Sequence, residues 1–123
     1  MSTYRDLKVW AKARVYIKDV YTISVNFPKE EIYGITSQIR RAAVSIANNI
    51  VEGSARYSDK EFIRFLDIAY ASSIEVENMH YICLDLGFIN DDEFSKLFEQ
   101  SQEIQRMIFS LKRSLKEKLT TTN

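Results

Sequence analysis

The chain has 123 residues, the length of one ordinary domain. Apolar residues make up 46% and charged residues 28%, which excludes global disorder, and three glycines with one proline exclude a collagen-like chain and disfavour a many-turned β-sandwich. Seventeen basic and seventeen acidic side chains cancel, which excludes a wholly basic nucleic-acid binder, although residues 1–57 carry +4 and residues 58–123 carry −4.

Residues that start and stop helices divide the chain into four stretches. The predicted helices span about 5–26, 33–55, 59–87 and 91–119. The first ends before Pro28, because proline cannot continue a helix. Ser58 with Glu61, and then Asn90, provide starts for the third and fourth, and Gly87 provides a stop. Apolar residues recur three and four apart, so we predict one all-α domain, an antiparallel up-and-down four-helix bundle.

The helices carry more apolar surface than one bundle core requires. Beyond their core stripes, the second and third helices have apolar residues on other sides: Val44, Ala47, Val51, Ile68, Met79 and Leu86. Apolar surface of this extent is unfavourable in water. We therefore predict that the chain forms a homo-oligomer.

The sequence also bears on the cellular compartment. The single Cys83 cannot form an internal disulfide, and the N-terminus has charges where a signal peptide needs an apolar run. The longest charge-free run, residues 42–51, is too short to span a bilayer. We expect a cytoplasmic protein with no membrane association.

The second helix has an unusual polar row along a largely apolar rod. Arg41, Ser45, Asn48 and Glu52 recur at helical spacing and share one side, whereas Arg40 lies on the other side. Two interpretations stay open. The row is a polar network between helices or subunits, or it is a phosphate-binding face, since arginine pairs bidentately with phosphate. The candidate network comprises Gln38, Arg41, Ser45, Asn48, Asn49, Glu52 and Glu75, with Glu52 or Glu75 as the acidic partner.

A second basic surface lies on the first helix. Arg5, Lys8 and Lys12 fall within about 60° of one another at 100° per residue. A solvated helix face explains them, and so does a phosphate-binding surface that an oligomer would repeat. With Arg40 and Arg41 they are the candidate nucleic-acid-binding residues.

Two sets of residues raise the question of catalysis. Glu77 and His80 have the Glu-x-x-His spacing of di-iron bundles, but a full site needs that motif twice and the chain has one histidine. Cys83 lies one turn after His80 without a visible oxyanion site, so we interpret both as core residues. We predict no catalytic residue, no metal ligand and no cofactor.

Several segments resemble a known bacterial family. The most specific reads QIRRAAVSIANNIVEG over residues 38–53 and is similar to the family pattern QLRRAAxSIxxNIAEG, with Val51 in place of alanine. The others are YRDLKVW at 4–10, FPKEEIYGITSQ at 27–38 and ASSIEVE at 71–77. By these segments the chain is identified as a member of the four-helix-bundle proteins encoded in intervening sequences of bacterial 23S ribosomal RNA genes.

The resemblance implies an antiparallel four-helix bundle that assembles as a homopentamer, with no enzymatic reaction attached. A related bundle, the accessory protein of diversity-generating retroelements, is a basic pentamer that binds nucleic acid and a reverse transcriptase. We therefore expect a non-enzymatic oligomeric binding or scaffold protein that binds RNA or DNA or assists a nucleic-acid enzyme. The alternatives are a protein–protein adaptor without nucleic-acid binding and a metal-dependent bundle enzyme.

Overall fold

Helices account for the regular structure of the described part of the chain. The computed structural model describes residues 3–121. The elements are 3-10 turns at Tyr4–Asp6 and Lys29–Glu31, and the helices α1 (Lys8–Ser24), α2 (Ile35–Ser54), α3 (Asp59–Asp85) and α4 (Asp91–Thr121). The prediction of an all-α chain with four helices is confirmed. Within the described range, no helix combines the length and the apolar character that crossing a bilayer requires.

The ends of α3 and α4 form where the sequence provides capping residues. Ser58 Oγ accepts a hydrogen bond from the Glu61 amide at 3.1 Å. At the start of α4 the capping is reciprocal, because Asn90 accepts from the Glu93 amide at 2.8 Å and Glu93 accepts from the Asn90 amide at 2.9 Å. Gly87 follows α3 with φ of 76°, a left-handed conformation that glycine adopts without strain.

The first two helices start later than residues 5 and 33 because a 3-10 turn precedes each of them. Thr3 Oγ1 accepts from the Arg5 amide, and the Asp6 carboxylate accepts from the Thr3 amide, so this turn closes before Lys8. The second turn, Lys29–Glu31, similarly precedes α2.

Each helix contributes a buried apolar stripe to one core. These stripes follow the three-and-four spacing of their helices. Fully or almost fully buried side chains include Tyr16 and Val20 from α1, Ile46 and Ile50 from α2, Leu66 and Val76 from α3, and Leu97, Ile104 and Ile108 from α4. Two expectations are wrong: Ala47 and Met79, predicted to lie away from the core, are buried at 8% and 5% exposure. Both residues join the core because the neighbouring helices cover more of the surface of α2 and α3 than a single stripe.

The outer side of α3 keeps apolar residues in contact with solvent. Ile68, Ile74 and Ile82 are each 39% exposed, and Leu86 is 57% exposed. Apolar surface that remains after the core has formed is typical of a surface that contacts another molecule.

The last turn of α2 packs very closely against α3. Gly53 is buried, and a Cβ atom at this position would lie 2.7 Å from Phe65 Cβ and 2.9 Å from Phe62 Cδ1. Non-bonded contacts of Cβ atoms in packed proteins have larger separations. Glycine therefore permits the close approach of these two helices.

Candidate nucleic-acid interface on the second helix

Arg41, Ser45 and Asn48 of the polar row on α2 line a shallow depression on the protein surface, whereas Glu52 lies outside it. The volume of the depression is about 410 Å³. Six residues line it: Tyr21, Arg41, Val44, Ser45, Asn48 and Asn49. We call this surface the α2 depression. One turn of helix separates successive members of the row, so their polar groups lie side by side along the depression.

Hydrogen bonds hold the floor of the α2 depression in place. Ser45 Oγ lies 2.9 Å from Ser72 Oγ of α3. Asn49 Nδ2 donates to the Ser45 backbone carbonyl at 2.8 Å and contacts Ser45 Oγ at 3.0 Å. These bonds tie α2 to α3 and fix the Asn49 amide. Sequence reasoning included Ser45 and Asn49 but missed Ser72, whose position opposite Ser45 depends on the packing of α3.

Arg41 is the cationic member of the predicted network. Its side chain is exposed, and among the described residues no carboxylate forms an ion pair with it. Glu52 and Glu75 are exposed, and neither pairs with Arg41 within the protomer. Gln38 is exposed as well. The predicted acidic partner of Arg41 is therefore absent from its own bundle.

Arg40 has a different environment from its neighbour. Its Nε donates to Ser24 Oγ at 2.8 Å, and its guanidinium carbon lies 4.7 Å from the centre of the Tyr21 ring. Ser24 is itself buried, and its hydroxyl donates to the Tyr21 carbonyl at 3.2 Å. The sequence does not reveal this role of Ser24, because the contact with Arg40 depends on how α1 packs against α2.

The basic residues predicted on the first helix lie apart from the α2 depression. Lys8 and Lys12 belong to α1, but the placement of Arg5 on the same helix is wrong, because Arg5 lies in the 3-10 turn Tyr4–Asp6. Arg5 stacks on the Tyr4 ring, with 4.8 Å from its guanidinium carbon to the ring centre. Lys8 is exposed, and Lys12 pairs with Glu103 of α4 at 3.3 Å. Lys8 and Tyr21 are separated by 13 helical residues, or roughly 20 Å at 1.5 Å per residue. The structure does not bring the two predicted basic surfaces together within one protomer.

The residues that raised the question of catalysis lie inside the bundle. His80 is fully buried, and its Nε2 lies 2.5 Å from the Tyr16 hydroxyl. Burial lowers the pKa of His80 to about 4 from its usual 6.5, because the charged ring is poorly solvated there. The pKa of Tyr16 is raised well above its usual value of 10.0, first by burial and then by the charge of Glu77.

Glu77 and Cys83 have separate roles from His80. The Glu77 carboxylate accepts hydrogen bonds from the Gln102 and Gln105 amides of α4. Cys83 is fully buried, and burial raises the pKa of its thiol to about 11, so it stays protonated at neutral pH. In residues 3–121, no three His, Cys, Asp or Glu side chains are grouped so that they could hold a metal ion.

Comparison with known proteins bears on the family and the fold. Comparison with curated proteins gave no match. Among solved structures, the chain is similar to a protein of unknown function from the S23 ribosomal protein family of Bacteroides thetaiotaomicron, with a TM-score of 0.76 and 24% identity. The similarity covers 85% of this chain and 97% of that one, and supports the fold.

The family model described as "23S rRNA-intervening sequence protein" matches residues 5–110 of the chain. That range contains α1, α2, α3 and most of α4. It also includes the complete α2 depression and the Tyr16–His80 pair. The chain therefore belongs to the 23S rRNA-intervening sequence protein family.

Proposed function

We propose that this chain is the subunit of a non-enzymatic, oligomeric four-helix bundle that binds RNA or DNA through the α2 depression. The observation that carries the proposal is the exposed Arg41 guanidinium, which has no acidic partner among the described residues and adjoins Ser45 and Asn48. Arginine, serine and asparagine side chains donate hydrogen bonds to phosphate oxygens. Tyr21 is 40% exposed at the edge of the depression; Arg40 covers one face of its ring, and a base would stack on the other face.

Assembly is part of this proposal because one subunit has no net charge. An oligomer would repeat Arg41 and create a local positive field that a single bundle lacks. The exposed apolar residues of α3, among them Ile68 and Leu86, support an interface between subunits. Five subunits is the number that the family resemblance implies.

An antiparallel order of neighbouring helices also belongs to the proposal. Its support comes from contacts between α2 and α3. Gly53, at the end of α2, lies against Phe65 near the start of α3, whereas Ser45, earlier in α2, meets Ser72, later in α3. Such an order suits the short connections between the helices.

A protein–protein adaptor without nucleic-acid binding is the second candidate. The exposed apolar residues of α3 favour this candidate, since they fit a protein partner as well as another subunit. Under this alternative, Arg41 pairs with an acidic group across a protein interface instead of a phosphate.

Salt-dependent binding tests the proposal. Fluorescent single-stranded and duplex RNA and DNA are titrated with the protein at about 50 and 200 mM salt, because phosphate binding weakens steeply over this range. Arg41→Gln should weaken binding and lower the salt slope by about one for each Arg41 copy that contacts phosphate. Arg106→Gln is the matched control, because Arg106 is also exposed and the charge change is the same.

The oligomer mass of each variant, measured by light scattering, separates the two candidates. Weakened binding at unchanged mass supports phosphate contact by Arg41. A smaller mass for Arg41→Gln, or the absence of nucleic-acid binding even at low salt, contradicts the proposal and favours the adaptor.

A further inference from the structure

A second concave site lies where the connection between α1 and α2 closes the end of the bundle. It is a cavity of about 300 Å³. Much of its wall is apolar, formed by Val25, Phe27, Pro28 and Ile32. We call it the turn cavity. Its volume is at the lower end of the range for small-molecule sites, which are commonly apolar with a few polar groups.

One of those polar groups is a buried hydroxyl without a partner. Thr36 lines the turn cavity and is only 2% exposed, and its Oγ1 forms no hydrogen bond. Buried hydroxyls in native proteins nearly always have a partner, so this one needs an explanation. Thr36 lies in the first turn of α2, and Gly34 before it provides no side-chain cap. The Glu31 carboxylate accepts a hydrogen bond from the Ile35 amide at 3.4 Å, so a negative charge already lies at this helix N-terminus and positive charge must come from side chains.

Arg40 supplies a full positive charge one turn further along the same wall. Its Nε is bonded to Ser24 and its plane lies over Tyr21, so the guanidinium is held in one orientation. The four N–H groups on its two terminal nitrogens have no partner among the described residues. Those groups are a preorganised bidentate donor.

The charged residues that line the turn cavity are both cationic. Lys29 is the second cationic residue of the turn cavity, and no acidic residue lines it. Glu30 and Glu31 follow Lys29 in the chain but are not among the lining residues. The cavity therefore combines two positive charges, an unpaired hydroxyl and an apolar wall.

We propose that the turn cavity binds a small monocarboxylate with a branched or aromatic apolar body. The carboxylate accepts two hydrogen bonds from the Arg40 terminal nitrogens and one from the Thr36 hydroxyl, while the apolar body packs against Phe27 and Ile32. A planar carboxylate matches the paired N–H groups of the arginine side chain. The ligand needs a hydrocarbon body because much of the cavity wall is apolar. This site does not involve Arg41 and stands independently of nucleic-acid binding.

Nuclear magnetic resonance with phenylacetate and isovalerate tests the proposal on the full chain. Each acid is titrated to about 20 mM, well above the millimolar Kd expected of so small a ligand. We expect saturable shifts of the Arg40 Nε–H signal and of the Ile32 and Thr36 amides. Phenylacetamide and isovaleramide keep the apolar body but lack the charge, and acetate and inorganic phosphate lack the body, so all four should bind at least about tenfold more weakly.

Two variants assign the contacts. Arg40→Gln should weaken phenylacetate binding at least about tenfold, and Thr36→Val about fivefold, as expected for the loss of a charge-assisted and an ordinary hydrogen bond. Arg41→Gln, at the adjacent exposed arginine, should change the affinity for phenylacetate less than about twofold. Thr36→Val keeps the side-chain shape, so it tests the site even where Arg40→Gln fails to fold.

The outcomes that overturn the proposal are specific. Absence of saturable shifts with both acids removes the site. Equal binding of phenylacetamide, or equal binding of phosphate, shows that the cavity does not recognise an apolar carboxylate. Unchanged phenylacetate affinity in a folded Thr36→Val variant, or in a folded Arg40→Gln variant, also contradicts it.

Discussion

The centre of the bundle and the end that joins α1 to α2 both bury polar side chains, but they do so differently. In the centre, the Tyr16 hydroxyl and His80 Nε2 form one hydrogen bond inside the core, while His80 Nδ1 has no partner among the described residues. At the α1–α2 end, the buried Thr36 hydroxyl forms no hydrogen bond at all, and Thr36 lines a cavity. The comparison teaches that a buried polar pair contributes to the stability of one packed state, whereas a buried unpaired group beside open space is suited to a ligand.

Acid titration gives the largest expected effect and tests the central pair. The folded-state pKa of His80 is about 4, below its usual value of 6.5, so the folded protein favours the neutral ring. Stability from this group is complete above pH 6.5 and is lost as the pH falls toward 4. At about 1.4 kcal/mol per pKa unit, the loss is roughly 3 kcal/mol.

Urea unfolding at several pH values measures this loss, at one fixed protein concentration, since the stability of an oligomer depends on concentration. The control is the double variant Tyr16→Phe/His80→Leu, which replaces both partners and leaves no polar atom of the pair unpaired. Other groups titrate in both proteins, so the difference between the two pH dependences of stability isolates the contribution of the pair. Identical pH dependence would show that His80 is not held neutral.

The second test uses the opposite end of α2, where packing leaves no space at all. Gly53→Ala should lower the free energy of unfolding by about 2 kcal/mol, the cost of overpacking less the roughly 1 kcal/mol that alanine gains in a helix. The cause is the clash with Phe62 and Phe65.

Gly87→Ala is the matched control for this test. A Cβ atom at Gly87 has nothing within 4 Å, so only its left-handed backbone is strained, at about 1 kcal/mol. Urea denaturation measures both variants. A Gly53→Ala variant no less stable than Gly87→Ala would mean that α2 and α3 can separate there without cost.

The smallest expected effect concerns the unpaired hydroxyl. Thr36→Val should leave the free energy of unfolding unchanged or raise it by up to about 1 kcal/mol, because it removes a buried donor that has no partner. Ser24→Ala, in contrast, should lower it by about 1 kcal/mol, because the Ser24 hydroxyl bonds both Arg40 and the Tyr21 carbonyl. Thermal or urea unfolding compares the two, and a clear loss of stability in Thr36→Val would mean that the protein itself satisfies this hydroxyl.

Much of the candidate interface could be predicted from the helical period. The period of 3.6 residues sets which side chains share a face, and Arg41, Ser45 and Asn48 do line one depression. The predicted pairing of Arg41 with Glu52 or Glu75 does not occur within the protomer, because a shared face does not bring the charged ends into contact. Burial of Ala47 and Met79 was likewise missed, since the area that a neighbouring helix covers depends on how closely the helices pack.

The sequence by itself determined the helices, their capping and most of the core, because these depend on residues within one or two turns of each other. Only the tertiary structure decided the environments of the polar groups. Arg40 and Arg41 are adjacent in sequence, yet Arg40 is held by Ser24, sixteen residues away, and Arg41 remains exposed. His80 finds Tyr16 across 64 residues. Such partners are set by how the helices pack, and no local pattern encodes the distance between them.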